Sequence, residues 1–231
     1  MAEVHVSERV SERSDLMDRK PADPNKKKKK KLLFALSEKQ RKELLEIAKS
    51  NNYKHYLTIR TLLETGLRIN ELVNLTIPEI DFANSRICLN DKDGSKYYLS
   101  FKTKTEASKR IIVLEPDLKK MIRSFIGTRK NGYVFETQKK TQQNKGRYNK
   151  KSLINRINEY AIKCPSIGQP IGAHCLRRTY ASYLAENQEK IGLIQKQLGH
   201  TSVATTLRYL HAIYNEKDYE NTRKLLRKMN K

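Results

Sequence analysis

Residues that start and stop helices divide this sequence into short segments. These helix boundaries limit its possible folds more than any other feature of the sequence. Ser37 and Gln40 fit a capping box, which predicts a first helix running to about residue 49. Residues 53–65 carry an apolar face at helical spacing, and Gly66 supplies a left-handed end for that second helix. A third, short helix from about residue 68 is stopped by Pro78.

Between residues 86 and 114 the pattern changes to short extended segments. The stretches RICL, YYLSF and RIIVL predict three antiparallel strands, with a DKDG turn between the first two. Pro116 suits the first position of the next helix, which ends by Gly127. The later helices are predicted at about residues 153–163, 174–187, 191–198, 203–213 and 218–229. The predicted fold class is α+β, mainly α-helical, with a small three-stranded antiparallel sheet.

The formal charge of +23 points to a polyanionic partner more strongly than any other feature of the composition. Residues 1–31, which include a run of six lysines, account for only +4 of it, so the remainder of the chain carries +19. A folded part this basic favours nucleic acid, and the loop composition of residues 137–152, six basic side chains without an acid, suits a phosphate backbone. An anionic membrane is the weaker alternative, because the sequence has no Trp and no basic helix with an aromatic apolar face.

The cysteine count and the hydropathy of the sequence indicate in which cellular compartment we expect the protein. The three cysteines, Cys88, Cys164 and Cys175, are odd in number and share no CxxC spacing, which argues against a disulfide framework or a cysteine zinc site. No apolar run approaches the ~18 residues needed to span a bilayer, and the first residues lack the apolar core of a secretory signal. We therefore expect a reduced, cytoplasmic protein.

Four short motifs hold residues that an ordinary fold does not need. TGLRINEL places Arg68 in the opening turn of a helix, where backbone N–H groups favour an anion. HCLRR places His174 and Arg177 three residues apart, hence on one helical face. LGH ends with His200 just past a helix stop, and TTLRY ends with Tyr209.

In this order and spacing, the four motifs resemble those of the tyrosine recombinase (phage integrase) family. His200 follows Arg177 by 23 residues, and Tyr209 follows His200 by 9. The resemblance covers about residues 36–214 and implies the fold of the tyrosine recombinase catalytic domain. It also implies the activity of a site-specific DNA recombinase of the integrase, invertase or resolvase type.

The chemistry of DNA cleavage suits these side chains. The two guanidinium groups of Arg68 and Arg177 would stabilise the negative charge that gathers on a pentavalent phosphate. A phenol is a weak nucleophile at neutral pH, so Tyr209 needs a base, for which His174 is the candidate. His200 is the candidate hydrogen-bond donor to the phosphate. The resemblance implies a 3′-phosphotyrosyl intermediate, formed without a metal, ATP or any other cofactor.

The leaving 5′ oxygen needs an acid, and the family supplies it from a lysine of a β-hairpin. Lys104 is the preferred candidate here, with Lys102 and Lys109 as competitors. Glu71 occupies the family's acidic position after the first arginine, where we expect it to orient the region; the alternative is a surface ion pair.

Two other C-terminal tyrosines, Tyr214 and Tyr219, are rival nucleophiles. We prefer Tyr209 because it alone follows Thr-Thr at the family's spacing.

The predicted domains are a basic, disordered arm at residues 1–35, the catalytic domain at residues 36–216 and a basic helix at residues 217–231. Most family members carry a helical core-binding domain before the catalytic one, so we expect either a catalytic fragment or one of the short recombinases that lack that domain. The arm would add electrostatic affinity for DNA without reading bases. The last helix would dock into a neighbouring subunit or pack on its own domain.

The expected partners are double-stranded DNA and further copies of the chain, as a dimer or tetramer on DNA, with no membrane and no small-molecule substrate. A type IB topoisomerase is the alternative function, because it uses the same chemistry to relax supercoils. A catalytically silent DNA-binding relative is disfavoured, because no member of the constellation is missing.

Overall fold

The computed structural model describes residues 35–89, 110–137, 141, 145–187 and 190–210. Of residues 208–210 it describes the backbone alone. The helices in these ranges are α1 Glu38–Asn51, α2 Tyr53–Thr65, α3 Ile69–Asn74, α4 Pro116–Ile126, α5 Lys150–Lys163, α6 Gly172–Glu186, α7 Ile191–Leu198 and α8 Val203–Leu210. The strands are β1 Ile80–Asp81, β2 Arg86–Leu89 and β3 Arg110–Val113. None of the helices within these ranges is long and apolar enough to cross a membrane.

Local capping chemistry sets most helix boundaries, as predicted. The Ser37 and Gln40 side chains form both bonds of the capping box that starts α1. The predicted bounds of α2 and α7 are confirmed, and each helix ends at a left-handed glycine. Helix α5 begins three residues earlier than predicted, because Asn149 accepts the Ser152 N–H at 3.0 Å and caps it.

The three-stranded antiparallel sheet is confirmed, but its first strand was not foreseen. The strand order is β1-β2-β3, with Ile80 opposite Ile87 and Ile87 opposite Ile112. The prediction missed β1 because two residues are too few to reveal an alternation. The predicted YYLSF strand lies outside the described residues.

Two apolar clusters of different size hold the described helices together. The main core contains buried side chains from Leu36 to Leu176, contributed by α1–α6 and the sheet. The small core consists of Ala181, Ile194 and Leu198, which join α6 to α7. Leu36 is also tied to α6, because its N–H donates to the Thr179 hydroxyl at 2.9 Å.

Candidate active site

Two glycines bring the predicted site residues to their positions. Gly66 ends α2 with a φ of 62°, and Gly199 ends α7 with a φ of 59°, a backbone region that favours glycine. A Cβ on residue 66 would also collide with the ring of Tyr180 on α6. Each glycine reverses the chain just before a site residue, Arg68 in one case and His200 in the other.

Three arginines from different elements donate to three consecutive carbonyls at the end of α7. Arg110 Nε donates to the carbonyl oxygen of residue 197 at 2.7 Å, and Arg68 Nη2 to that of residue 199 at 2.8 Å. Between them, Arg177 donates to the carbonyl of residue 198 from Nη2 and to that of residue 66 from Nη1. We call residues 197–199 the carbonyl run. The final carbonyls of a helix lack partners within it and carry partial negative charge, so guanidinium groups suit them.

Glu71 orients two of these arginines from within the protein. Its carboxylate accepts the Arg68 backbone N–H at 2.6 Å and Arg68 Nη1 at 2.8 Å. Arg110 donates to both of its oxygens, at 3.0 and 2.8 Å. Burial alone would raise the pKa of Glu71, but the bonds and charges of Arg110 and Arg68 outweigh it and lower that pKa to about 2. Glu71 is therefore a buried, ionised anchor, and the surface ion pair considered above is not what it forms.

His174 and Arg177 lie in the first half of α6, one turn apart. Arg177 is buried, whereas the His174 side chain reaches solvent. Partial desolvation of the ring lowers the pKa of His174, and nearby cations lower it further, namely Arg177, Arg178, Arg68 and Lys150. The imidazole is thus biased towards its neutral form, which is the form that can accept a proton.

His200 is buried beside the same arginines. Its Nδ1 lies 3.0 Å from Thr206 Oγ1, and its backbone is fixed to Gln195 in α7 by two hydrogen bonds. Burial lowers the pKa of His200 to about 4, aided by the charges of Arg177, Arg68 and Arg110. When Nδ1 accepts from the Thr206 hydroxyl, Nε2 carries the proton of the neutral ring and can donate it.

Tyr209 lies in α8, three residues after Thr206. Thr206 contacts His200, so the helix that carries Tyr209 adjoins the site. The Tyr209 side chain is not among the described ones, and the rivals Tyr214 and Tyr219 lie outside the described residues altogether.

The candidate acid, Lys104, lies outside the described residues, as do its competitors Lys102 and Lys109. The nearest described part of that hairpin is β3, which begins at Arg110.

Arg110 is the site residue that the sequence reasoning missed. Its side chain is 1% exposed, and it links Glu71 to the carbonyl run. One signal was available, because strand alternation places Arg110 on the same inward face as Ile112. A charged side chain at an inward position predicts a buried partner.

The described side chains thus concentrate positive charge at the meeting point of α3, α6 and the end of α7. Arg68 is about one third exposed and His174 reaches solvent, while Arg177, Arg110 and His200 are buried behind them. Such fixed positive charge suits an oxygen cluster with more than one negative charge.

Comparison with known proteins gives one family match and a consistent set of relatives. The model of the phage integrase family matches residues 35–216. Tyrosine recombinase XerA of Pyrococcus furiosus is 28% identical over 185 residues, which cover 80% of this chain and 59% of the relative. The transposase from transposon Tn916 of Enterococcus faecalis is 30% identical over 199 residues, which cover 78% of this chain and 48% of the relative.

Solved structures share the fold. The crystal structure of XerA recombinase matches 84% of this chain and 65% of its own, with a TM-score of 0.64 and 27% identity. The Tn1549 transposon integrase, in complex with transposon right end DNA, matches 91% of this chain and 69% of its own, with a TM-score of 0.61 and 23% identity. The chain spans less than two thirds of the length of the relatives matched by sequence.

Proposed function

This chain belongs to the phage integrase family, and from that premise we propose that it carries the catalytic residues of a site-specific DNA recombinase. In this proposal it cleaves and rejoins duplex DNA through a 3′-phosphotyrosyl intermediate. Its substrate is double-stranded DNA, on which copies of the chain associate as a dimer or tetramer.

The single observation that carries the proposal is the convergence of Arg68, Arg177 and His200 on the end of α7. These residues come from three separate motifs, yet Arg68 and Arg177 donate to neighbouring carbonyls, and both charges act on the His200 ring. A phosphodiester placed against Arg68 would meet guanidinium and imidazole groups at once. Those groups match the charge that develops on the phosphate during cleavage.

The first step is attack by the Tyr209 hydroxyl oxygen on the scissile phosphorus. The new bond joins that oxygen to phosphorus, and the phenolic proton passes to the neutral ring of His174. The lowered pKa of His174 supports this role, since a base must be unprotonated before it acts. His200 donates a hydrogen bond to a phosphoryl oxygen.

The same step breaks the bond from phosphorus to the 5′ oxygen of the next nucleotide. That oxygen leaves with a proton from Lys104, because an alkoxide is a poor leaving group. Rejoining is the reverse reaction, in which a 5′ hydroxyl attacks the phosphotyrosyl bond. The energy of the phosphodiester is retained in that bond throughout.

A type IB topoisomerase would use the same steps and differ only in rejoining the original ends. The relatives described above carry the names of recombinases and transposases, which disfavours this alternative. Strand exchange between two different duplexes distinguishes the two functions.

A suicide duplex tests the proposal. The protein is incubated with a nicked duplex from the ends of its host element, and the denatured products are examined for a covalent protein–DNA adduct. We expect wild-type protein to form the adduct and Tyr209→Phe to form none while binding DNA as tightly, because only the attacking oxygen is lost.

Tyr214→Phe and Tyr219→Phe are the matched controls, and both are expected to retain the adduct. An adduct that persists in Tyr209→Phe and disappears in one control would assign the nucleophile to that rival. If neither wild type nor any variant forms the adduct, the proposed activity is wrong.

A further inference from the structure

We propose that a basic pocket beside the candidate active site binds a second phosphate of the DNA backbone, next to the one that is cleaved. The inference rests on the proposed function and extends it. The pocket has a volume of about 540 Å³ and lies between α3, the chain that precedes α5 and the first turn of α5. We call it the α5 pocket.

The α5 pocket carries three positive charges, those of Arg147, Lys150 and Lys151. None of the nine described residues that line it is acidic. Across the described ranges, none of these three side chains forms an ion pair with Asp or Glu. Like charges held around one pocket repel each other, so a bound anion lowers their energy.

Several contacts fix the walls of the pocket before any ligand arrives. Arg147 donates from Nη1 to Asn74 Oδ1 at 3.2 Å, and its backbone pairs with Glu136. The Tyr148 hydroxyl lies 2.9 Å from His55 Nε2, and Lys54 Nζ lies 4.6 Å from the centre of the Tyr148 ring. A wall that is already ordered loses little conformational freedom on binding, which favours affinity.

The pocket adjoins the candidate active site on two sides. Asn70, one of its lining residues, follows Arg68 by two positions at the start of α3. Lys150, another, lies close enough to His174 for its charge to contribute to the lowered pKa of that ring. A DNA strand carries a phosphate at every nucleotide, so a strand held at Arg68 presents a neighbouring phosphate here.

This arrangement favours a backbone phosphate of DNA over a free small anion. A strand bound at the active site brings its own phosphates to the pocket, whereas a free anion would have to bind by the pocket alone. The contact would also carry no sequence information, because it reads charge and position only. Its function is to hold the strand in register for attack by Tyr209.

The first test measures how salt weakens binding to a mixed-sequence duplex of about three helical turns. The variant Lys150→Gln/Lys151→Gln removes two charges from the pocket. The control Lys49→Gln/Lys163→Gln removes two exposed charges from the last turns of α1 and α5. Thermal unfolding of both variants checks that the fold is kept.

We expect the pocket variant to reduce the slope of log K against log salt by roughly 0.9, because it loses one phosphate contact. At about 0.1 M salt this corresponds to roughly 8-fold weaker binding, if that contact contributes nothing near 1 M. The control should keep the wild-type slope. Equal slopes for wild type and both variants would overturn the proposal, as would equal losses in the two variants.

A second test locates the phosphate. Single methylphosphonate linkages, which are uncharged, replace the phosphates around the cleaved position one at a time. Wild type should lose affinity at one linkage next to the cleaved one, and the pocket variant should lose no further affinity there. Identical profiles for the two proteins would contradict the assignment. Loss of inorganic pyrophosphate binding in the pocket variant, with DNA binding unchanged, would assign the pocket to a small anion instead.

The outcomes separate this inference from the proposed function. The salt slopes require no cleavage, so a reduced slope without any Tyr209 adduct would keep the pocket and remove the recombinase activity. A normal adduct with unchanged slopes would keep the activity and remove the pocket from DNA binding.

Discussion

The two halves of the candidate active site are held in place by different means. Arg68 immediately precedes α3 and Glu71 lies within it, and the inner side chains of this helix join the main core. His200 and α8 follow α7, which packs on α6 through the small core and the partly buried Tyr180, Leu184 and Ala185 around it. The second half therefore depends much more on polar contacts than the first does.

Those polar contacts are supplied by the site residues themselves. Arg68, Arg110 and Arg177 all donate to the carbonyl run, and Arg68 and Arg177 are also the residues we assign to the phosphate. The guanidinium groups that we propose to bind the phosphate therefore also fasten one half of the site, whereas apolar packing supports the other half. Four predictions examine this difference, from the largest expected effect to the smallest.

Removing the buried Glu71 carboxylate should destabilise both halves of the candidate active site. We expect Glu71→Ala to lower the free energy of unfolding by about 3 to 5 kcal/mol, because it leaves the buried Arg110 without its counter-ion. Glu159→Ala is the matched control, since its ion pair with Arg156 is about half exposed, and we expect a loss of less than about 1 kcal/mol. Urea unfolding measures both values. A similar loss in the two variants would mean that Glu71 is not an anchor.

The same leucine-to-alanine substitution in each core should cost different amounts of stability. Leu57 in the main core and Leu198 in the small core are both fully buried. We expect Leu57→Ala to cost about 4 kcal/mol and Leu198→Ala about 2 kcal/mol, because fewer neighbours surround the smaller cavity. Hydrogen exchange should rise throughout the protein for the first variant and mainly in α7 and α8 for the second. Equal costs with equal exchange patterns would remove the distinction between the cores.

The buried carboxyl of Glu79, just before β1, should make the free energy of unfolding depend on pH. Glu79 Oε2 accepts from the Thr76 N–H and hydroxyl, and Oε1 has no partner among the described residues. Burial raises the pKa of Glu79 from its usual 4.5 to about 7. The folded state therefore binds this proton more tightly than the unfolded state does, and stability falls as the pH rises from about 4.5 to 7.

Glu79→Gln removes this dependence, because an amide stays neutral. We expect the variant to match wild type near pH 4.5 and to be more stable by about 3 kcal/mol at pH 8, since a tenfold change in proton affinity between the folded and unfolded states corresponds to about 1.4 kcal/mol. Urea unfolding at the two pH values measures the difference, and the exposed Glu46→Gln in α1 is the control. A constant difference between variant and wild type at both pH values would show that burial of charge is not the cause.

The smallest effect is expected at the outer margin of the main-core half, where a cap starts α1. Ser37→Ala should cost about 1 kcal/mol, because the Gln40 N–H loses its acceptor. Ser50→Ala, near the other end of the helix, removes an exposed hydroxyl and should change stability by less than about 0.5 kcal/mol. Thermal unfolding of the two variants shows whether the lost stability comes from the helix cap or from the loss of any serine hydroxyl.

The features that could be predicted from sequence were those set by local chemistry. The bounds of α2 follow from an apolar face and one glycine, and the start of α1 follows from two side chains three residues apart. In the structure Arg68, Arg177 and His200 meet at the end of α7, and the charges of Arg68 and Arg177 act on the His174 ring. The roles we assign to them remain proposals for the experiments above.

The features that could not be predicted depend on contacts between distant residues. β1 exists because Ile80 pairs with Ile87, and two residues alone carry no alternation. The bond from Arg110 to Glu71 joins positions 39 residues apart, and strand alternation indicates only that Arg110 needs some partner. Sequence can show that such a partner is required, but the fold decides which one it is.

The carbonyl run also constrains how the length of this chain can vary. Its three oxygens come from consecutive residues and meet donors from β3, α6 and the start of α3. Inserting or deleting one residue in α7 would turn that end of the helix by about 100°, because an α-helix has 3.6 residues per turn. All three donors would then face the wrong oxygens together, so indels should be far rarer here than single substitutions. The number of residues in α7 therefore fixes which carbonyl oxygen meets which arginine.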